Sequence, residues 1–299
     1  MVYIDDSIMQ KGHIASAGSK ILENFAAPFD ATVVTRLADD TARIKLAEFG
    51  MGDPGELPDA PLLCNDVFGH VRTRAAAQGL CYIRPAYGTV SRYGLIPTAS
   101  SMDQIGVACK NPFEGYCLLS AIAGHDENDG AMFPEKRYTY TKAANKPRQI
   151  DARQTYKTLP YADLFGHVMT ILTCAELCNN ISRYDGIKFG YRAPGFRGLD
   201  ELYVKTRTEA LGGEARFAAI MGCIVLSHGY YGSVYDKAMR IRRLIKESLP
   251  FDEYDILALA PDNPLPQLAG LPSLTFSNMQ LVSNVGNEGA LLAGWEVAQ

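Results

Sequence analysis

Apolar side chains recur at helical spacing over the second half of the chain. Between residues 158 and 250 they fall three or four positions apart, which places them on one face of a helix. The same spacing predicts a helix over 233–249 and another over 112–123, where Gly124 stands at a natural C-terminal cap. The clearest set of such positions is Leu164, Val168, Ile171, Leu172, Ala175 and Cys178.

Short, continuous apolar runs predict buried strands among these helices. Such runs cover 256–259 and 274–276, and turn and strand signals alternate over 80–109. A last helix is predicted over 291–297. Because strands and helices interleave, the pattern predicts an α/β architecture. Residues 126–157 are polar and contain few large aliphatic side chains, so we expect them to form an exposed connector.

Composition adds bounds on size and partners. The chain has 299 residues, 47% of them hydrophobic, which predicts a single globular domain over 1–299. A net charge of −4 offers no general attraction for nucleic acid, so direct binding to it is not expected. No apolar run approaches the roughly 18 residues of a membrane span. Asp5 and Asp6 interrupt the N-terminus where an export signal needs an apolar core. We therefore expect a cytoplasmic protein that does not enter a membrane.

The seven cysteines show no metal-binding spacing. None stands in a CxxC motif, and none lies near histidines at the spacing of a zinc site. We expect free, mostly buried thiols in a reducing compartment, and neither a metal nor another cofactor.

Several ordered stretches resemble a known family. The run YGTVSRYGLIPTASSMDQIG, which begins at Tyr87, is similar to the central signature of the amidase signature enzymes. Further stretches resemble most closely the branch formed by the A subunits of glutamyl-tRNA(Gln)/aspartyl-tRNA(Asn) amidotransferases. These stretches are 19–34, 47–52, 118–130, 182–195, 227–246 and 269–272.

This resemblance implies a fold and a reaction. The fold would be a central mixed β-sheet flanked by helices, here with internal deletions. The reaction would be amide hydrolysis, in which a serine attacks the carbonyl, a second serine relays the proton and a lysine acts as the base. A serine hydroxyl is a weak nucleophile without such a base, and backbone N–H groups stabilise the oxyanion that forms.

Two of the three catalytic groups are missing from the aligned motifs near the N-terminus. In the run Ile4-Asp5-Asp6-Ser7, Asp5 stands where the resemblance places the lysine. Only twelve residues, 53–64, occupy the stretch where the family carries the loop with its second serine. The resemblance therefore predicts that neither the base nor the proton relay is present.

The nucleophile position also differs. Counting back without gaps from Pro85 places His70 where the family has its nucleophilic serine. Asp66, Gly69 and Arg72 still agree with the family pattern around it. Since the activated nucleophile carries most of the catalysis in serine hydrolases, we do not expect the Ser–Ser–Lys reaction in this chain.

Asp5 and His70 leave alternatives open. If the fold is kept, the two face each other, and a carboxylate that orients an imidazole is a catalytic arrangement. The pair could instead bind a metal, with Asp6 or Cys64 as a further ligand, or fill space as a hydrogen-bonded pair. Cys64 near His70 is also a candidate nucleophile, although a buried, inert thiol is the default.

Three more residues are candidate substrate contacts. Arg242 matches a position that resembles the family's carboxylate-binding arginine, and its planar guanidinium suits a bidentate contact. A surface arginine in a basic helix is the alternative. Tyr184 and Gly69 lie in matched motifs. Asp262 is a weak candidate for the acidic residue that holds a substrate amino group in the family.

These observations lead to two hypotheses about function. The first is an A-subunit-like protein without amidase activity that acts as a binding, regulatory or assembly component. The second is an enzyme that acts on an amide or an amino-acid carboxylate through a rebuilt Asp5–His70 site. We expect the ligand to be a small carboxylate or amide. The expected partners are a second copy of the chain or amidotransferase-like subunits.

Overall fold

A single mixed β-sheet runs through the computed structural model, which describes residues 1–37, 40–134, 140, 149–150 and 159–298. The described strands are β1 Val2–Asp5, β2 Thr41–Ile44, β3 Leu62–Asn65, β4 Cys81–Arg84, β5 Ile105–Cys109, β6 Gln149–Ile150, β7 Ile256–Leu259, β8 Ser273–Phe276 and β9 Met279–Ser283. They pair in the order β2-β1-β3-β5-β4-β8-β9-β7-β6.

The parallel part of the sheet that positions the site lies at one end. β1 pairs in parallel with β2 and with β3, so that Asp5 is opposite Ile44 and Ile4 is opposite Leu63. β3 then pairs antiparallel with β5. Because β1 and β3 run in the same direction, their C-terminal ends lie side by side, and the two catalytic motifs of the family resemblance begin there.

Helices cover the sheet. The described α-helices are α1 Thr32–Arg36, α2 His70–Ala77, α3 Pro112–Ile122, α4 Phe165–Ile181, α5 Leu199–Ala210, α6 Gly213–Leu226, α7 Asp236–Glu247, α8 Leu265–Ala269 and α9 Gly289–Ala298. Single turns of 3-10 helix cover Lys20–Leu22, Glu48–Gly50 and Ala162–Leu164, and a π-helical turn, Tyr231–Tyr235, leads into α7.

The core has two main layers, one on each face of the sheet. Neighbouring residues of β7 show the alternation, because side chains along a strand point to opposite faces. Ile256 belongs to the layer that packs with α3 and α9. Leu257 belongs to the layer that packs with α4, α7 and α8.

The α/β architecture and the mixed sheet flanked by helices are confirmed. The predicted helix over 164–178 is α4, and the predicted strands over 256–259 and 274–276 are β7 and β8. The predicted helix over 233–249 is shorter, since its first turn is the π-helical one.

The start of the predicted exposed connector over 126–157 is exposed at Glu127, Asn128 and Gly130 but contains two buried aspartates. Asp126 is buried, and its carboxylate accepts hydrogen bonds from Ser91 Oγ at 2.6 Å and Thr32 Oγ1 at 2.5 Å. Asp129 is buried against Arg92, with a 2.7 Å ion pair. Polar composition suggested exposure, but paired carboxylates can be buried. Residues 149–150 form β6, and most of the remaining connector lies outside the described residues.

No single helix in the described part of the chain is long and apolar enough to cross a membrane. One pair of consecutive helical segments, α6 and 231–247, together has the length and composition of a membrane span, but the two segments meet at a bend of 102°.

Candidate functional site

The turn between β3 and α2 is organised by the Asp66 carboxylate. It accepts backbone hydrogen bonds from Gly69 at 3.1 Å, Val71 at 3.0 Å and Arg72 at 3.3 Å. The first N–H groups of a helix have no partner within the helix, and a negative charge there also suits the helix dipole. Asp66 therefore holds the start of α2 at the end of the sheet.

Arg72 completes this turn from inside the protein. Its guanidinium and Asp66 are both 1% exposed, and they form an ion pair at 3.2 Å. The other guanidinium nitrogens donate to backbone carbonyls of 261–263, at 2.8 Å to Pro261 and 3.0 Å to Asn263. A buried charge needs such partners, so Arg72 joins α2 to the loop before α8.

Gly69 is explained by its backbone. Its φ is +92°, which favours glycine, and a Cβ there would lie 2.6 Å from the Arg72 guanidinium. Gly69 lines a cleft beside α2. The structure thus gives this residue a conformational role, and its predicted substrate contact stays a prediction.

His70 is the first residue of α2 and is exposed. It opens onto two clefts. The larger, of about 680 Å³, lies between α4 and α6 and is walled by apolar side chains such as Phe68, Met169 and Phe217. The smaller, of about 510 Å³, lies beside the loop at 52–54. We name the larger the His70 cleft.

Acidic side chains reach the His70 cleft from two directions. Asp262 lines both clefts that contain His70, and Glu214, near the start of α6, lines the larger one. The Arg72 contacts to 261–263 explain why Asp262 comes here. The structure therefore brings the weak candidate Asp262 together with His70. It also adds Glu214, which the sequence motifs did not single out.

Asp5 does not line the His70 cleft and is the last residue of β1. Its side chain is 6% exposed and accepts a hydrogen bond from Ser7 Oγ. Burial, followed by the adjacent Asp6 carboxylate, raises the pKa of Asp5 to about 7. Asp6 accepts hydrogen bonds from Ser16 and, at 3.1 Å, from the Gly18 backbone.

The predicted Asp5–His70 pair is not formed. Within the described residues no hydrogen bond or ion pair joins the two, because Asp5 is turned to Ser7 inside the protein and His70 is at the surface. Cys64 is fully buried, and burial followed by the charges of Asp5 and Asp66 raises its pKa well above that of an ordinary thiol. It has the environment of an inert thiol.

Arg242 lines a different cleft, of about 430 Å³, together with Tyr87 and Lys246. Its guanidinium donates to Ser101 Oγ at 2.6 Å and to the Leu268 carbonyl at 2.6 Å. Arg242 thus ties α7 to the segment before β8 and to the signature run. His70 and Arg242 therefore line different clefts, and Asp5 lines neither of them.

Glu176 supports the hydrogen bond between Arg242 and Ser101, and the sequence analysis did not identify it as a site residue. It accepts hydrogen bonds from the Ser101 backbone at 2.8 Å and from Ser101 Oγ at 2.5 Å. Its position four residues after Leu172, on the apolar face of a predicted helix, is the signal that could have marked it.

Tyr184 is buried rather than placed in a cleft. Its ring stacks on Phe49 with centroids 6.2 Å apart, and burial raises its pKa to about 12. This packing gives Tyr184 a role in the core and does not support the predicted substrate contact. Among the described residues, no group of three or more His, Cys, Asp or Glu side chains could hold a metal ion.

Comparison with known proteins identifies the class. The amidase family model matches residues 63–151, which include the β3–α2 turn and the signature run. The A subunit of the glutamyl-tRNA(Gln) amidotransferase from Lachnoclostridium phytofermentans is 33% identical over 331 residues, 88% of this chain and 67% of that one. The chain therefore belongs to the amidase signature family, as the resemblance predicts.

Within that family the chain is similar to amidotransferase A subunits. The corresponding protein of Listeria monocytogenes serotype 4b is 32% identical, over 87% of this chain and 68% of that one. The alignment with the Lachnoclostridium protein spans 331 residues, more than the 299 of this chain, so it passes over segments that this chain lacks. This confirms the internal deletions.

Solved structures show the same fold. The crystal structure of the glutamyl-tRNA(Gln) amidotransferase A subunit from Thermotoga maritima has a TM-score of 0.72 at 23% identity, covering 98% of this chain and 81% of that one. The native peptide amidase from Stenotrophomonas maltophilia has a TM-score of 0.74 at 18% identity, covering 99% and 82%.

Proposed function

We propose that this chain is an amidotransferase A-subunit-like protein that does not carry out Ser–Ser–Lys amide hydrolysis. It acts instead as a binding, regulatory or assembly component built on the amidase scaffold. The observation that carries the proposal is the pair of side chains at the two aligned catalytic positions, a surface imidazole at 70 and a buried carboxyl at 5.

Neither side chain can take over the role of the residue it replaces. An acyl-enzyme of the serine type needs a hydroxyl nucleophile and a base that removes its proton. His70 offers no hydroxyl, and the Asp5 carboxyl is held by Ser7 away from the surface. The rebuilt Asp5–His70 enzyme would need these two groups in contact, and no described contact supports that.

The His70 cleft is the best-supported place for a ligand. Its volume of about 680 Å³ lies in the range of small-molecule sites, and such sites combine apolar walls with a few polar groups. Here Phe68, Met169 and Phe217 supply the walls, and His70 and Asp262 supply polar groups. This combination suits the apolar part of a small amide, with its polar end toward His70. Asp262 and Glu214 in the same cleft disfavour a carboxylate there.

Assembly is the second part of the proposal. The relatives are named as subunits, and we place this chain likewise in a cytoplasmic complex, either with amidotransferase-like subunits or with a second copy of itself. Co-expression with amidotransferase-like subunits encoded in the same genome tests it. Co-elution supports a mixed complex, and a dimer by light scattering supports self-association. A monomer that binds neither overturns the assembly part.

An ammonia-release assay tests the loss of hydrolysis. The purified full chain is incubated with L-glutamine, L-asparagine and butyramide. We expect no ammonia above the blank, in the natural chain and in His70→Ala alike. Ammonia release that disappears in His70→Ala would overturn the proposal and establish the rebuilt enzyme instead.

A pair of cleft-filling variants tests where a ligand binds. Butyramide and butyrate are the probes, and the shift in melting temperature is the readout. Thr170→Trp fills the His70 cleft from its exposed rim, whereas the matched control Met239→Trp narrows the Arg242 cleft. We expect a probe-dependent shift that only Thr170→Trp abolishes. A shift that only Met239→Trp abolishes, or no shift with either probe, contradicts the assignment of the His70 cleft.

A further inference from the structure

Two cysteines on neighbouring helices lie in direct contact. Cys178, near the end of α4, and Cys223, near the end of α6, have their sulfur atoms 3.4 Å apart. Both are free thiols, and Cys178 is partly exposed while Cys223 is exposed. They are 45 residues apart in the chain, so no sequence motif marks them as a pair.

The helix backbones approach closely at this point. A Cβ added at Gly222 would overlap the Cys174 carbonyl oxygen and the Cys178 Cβ. Only a glycine at this position allows α6 to lie so near α4. A disulfide needs a sulfur–sulfur distance of about 2.0 Å, so the two sulfur atoms, now 3.4 Å apart, must approach by roughly 1.4 Å to bond.

We propose that Cys178 and Cys223 form a modification site, a reversible disulfide made by exchange with a small-molecule disulfide such as oxidised glutathione. The exposed Cys223 thiolate attacks one glutathione sulfur, and one glutathione thiolate leaves. The Cys178 sulfur then attacks the Cys223 sulfur, the second glutathione leaves, and the Cys178 proton passes to it. The two cysteines lose two electrons and two protons, and one oxidised glutathione becomes two reduced ones.

The environments of the thiols set the order of attack. Burial, with the Cys223 hydrogen bond as the next cause, raises the pKa of Cys178 to about 11. Since the thiolate is the attacking species, Cys178 is the slower thiol, and the exposed Cys223 reacts first. The partly buried position of Cys178 beside the mixed disulfide then favours closure of the bond over a second glutathione adduct.

A second cysteine pair provides an internal contrast. Cys81 on β4 lies directly opposite Cys109 on β5, but the two are only 5% and 1% exposed. Burial raises their pKa values to about 11 and about 12. A glutathione molecule cannot reach either sulfur without unfolding the sheet, so we expect this pair to stay reduced.

The position of the disulfide gives it a consequence, which rests on the proposed binding function. α4 contributes Met169 and Cys174 to the His70 cleft, and α6 contributes Phe217 and Ala218. A bond between Cys178 and Cys223 ties these two walls together one to two turns from the cleft. Oxidation would therefore restrict how far the cleft can open.

Intact mass and thiol counting test the modification without reference to any ligand. The full chain is equilibrated with oxidised glutathione at pH 8, and its mass and thiol count are measured. It is then treated with excess reduced glutathione and measured again. All samples carry Cys117→Ser, because Cys117 is also an exposed thiol and would take its own glutathione adduct. We expect the loss of two of the six remaining thiols, a mass decrease of about 2 Da for the two hydrogens lost, and a linked peptide containing 178 and 223. Reduction should reverse all three. The melting temperature should rise by roughly 5 °C.

Cys178→Ser and Cys223→Ser are the matched controls. Cys178→Ser should accumulate a single glutathione adduct on Cys223. In Cys223→Ser, the buried cysteines Cys81 and Cys109 on the sheet should both stay reduced. A two-thiol loss that persists when Cys223→Ser is added, or a chain with both Cys178 and Cys223 that gains only adducts, overturns the proposal. If the disulfide forms but butyramide produces no melting shift in either redox state, the modification stands and the proposed binding function fails.

Discussion

Two aspartates end neighbouring parallel strands of the sheet, and their surroundings are opposite. Asp66, directly after β3, is 1% exposed and receives three backbone hydrogen bonds and an ion pair from Arg72. Asp5, the last residue of β1, is 6% exposed and lies beside a second carboxylate, Asp6. Burial of both side chains is similar, but only Asp66 has a cation in direct contact.

The difference matters for the function we propose, because the two aspartates stand in two motifs of the family resemblance. The Asp66 turn is a closed set of charges that positions α2, and it is independent of any substrate. Asp5 stands where the family resemblance places a lysine, and burial, followed by the neighbouring Asp6 carboxylate, favours its neutral carboxyl. In the function we propose, the Asp66 turn is a retained part of the scaffold, and Asp5 marks the position where the catalytic cation is absent.

Breaking the Asp66 turn should have the largest effect. Arg72→Met leaves Asp66 buried without its cation and frees the carbonyls of 261–263. Removing one partner of a buried ion pair costs about 3–5 kcal/mol. Urea unfolding followed by circular dichroism should show a loss of free energy of unfolding of about 4 kcal/mol.

The matched control lies two residues away on the same helix. Arg74 forms an ion pair with Asp53 at the surface, where both side chains are well exposed. Such pairs contribute little to stability, so Arg74→Met should leave the unfolding curve nearly unchanged. Equal losses in Arg72→Met and Arg74→Met would remove the contrast between a closed buried turn and an ordinary surface.

The second test is the pH dependence that Asp5 imposes. Its folded pKa of about 7 lies above the value of about 3.9 in an unfolded chain, so the folded state holds an extra proton between these values. Stability is then full below about pH 4 and falls as pH rises toward 7. The total loss from this group is roughly 4 kcal/mol.

Asp5→Asn should remove that loss while keeping the size of the side chain. We expect the variant to match the natural chain near pH 4 and to be more stable by a few kcal/mol at pH 8, measured by urea unfolding at each pH. The difference between the two curves isolates Asp5 from other titrating groups. Parallel curves would show that Asp5 is charged in the folded state and would bring it closer to Asp66 in behaviour.

Gly69 tests whether the turn depends on backbone conformation as well as charge. In Gly69→Ala the positive φ and the overlap with Arg72 should together cost about 3 kcal/mol. Gly79 is the control, since its φ is +73° but no atom lies within 4 Å of an added Cβ. Gly79→Ala should cost about 1 kcal/mol. Equal costs would mean that the turn tolerates a shifted Arg72.

Much of the fold could be predicted from patterns among residues that are close in sequence. The apolar period of 164–178 predicts α4 because its partners recur within one helix. The family pattern at Asp66 and Arg72 was recognised in the sequence, and the structure shows that these two residues form the ion pair of the β3–α2 turn. The candidate site was harder to predict, because its contacts join residues that are far apart in sequence. Arg242 meets Ser101 from 141 residues away, and that partner, rather than a ligand, occupies its guanidinium.

Buried polar residues explain the other errors. The carboxylates of Asp126 and Asp129 look exposed in a polar segment, but Ser91 and Arg92 pair with them across about 35 positions. The contact between Cys178 and Cys223 likewise depends on two helices packing at Gly222. Hydrophobic periodicity reports which face of an element is buried, and it carries no information about which polar group a distant segment supplies.

The smallest effect concerns the hydroxyl that holds Asp5. Ser7 Oγ donates to the Asp5 carboxylate and lowers its pKa from the level that burial alone would impose. Because a hydrogen bond to a charged acceptor is stronger than one to a neutral acceptor, Ser7→Ala should cost about 1 kcal/mol at pH 8 and less near pH 4. The midpoint of the Asp5 transition should move to higher pH. When Ser7→Ala is combined with Asp5→Asn, its effect on stability should not depend on pH. A pH-dependent effect in that double variant would mean that Ser7 acts on another group, such as Asp6. Asp5 would then not be the source of the contrast between the two strand ends.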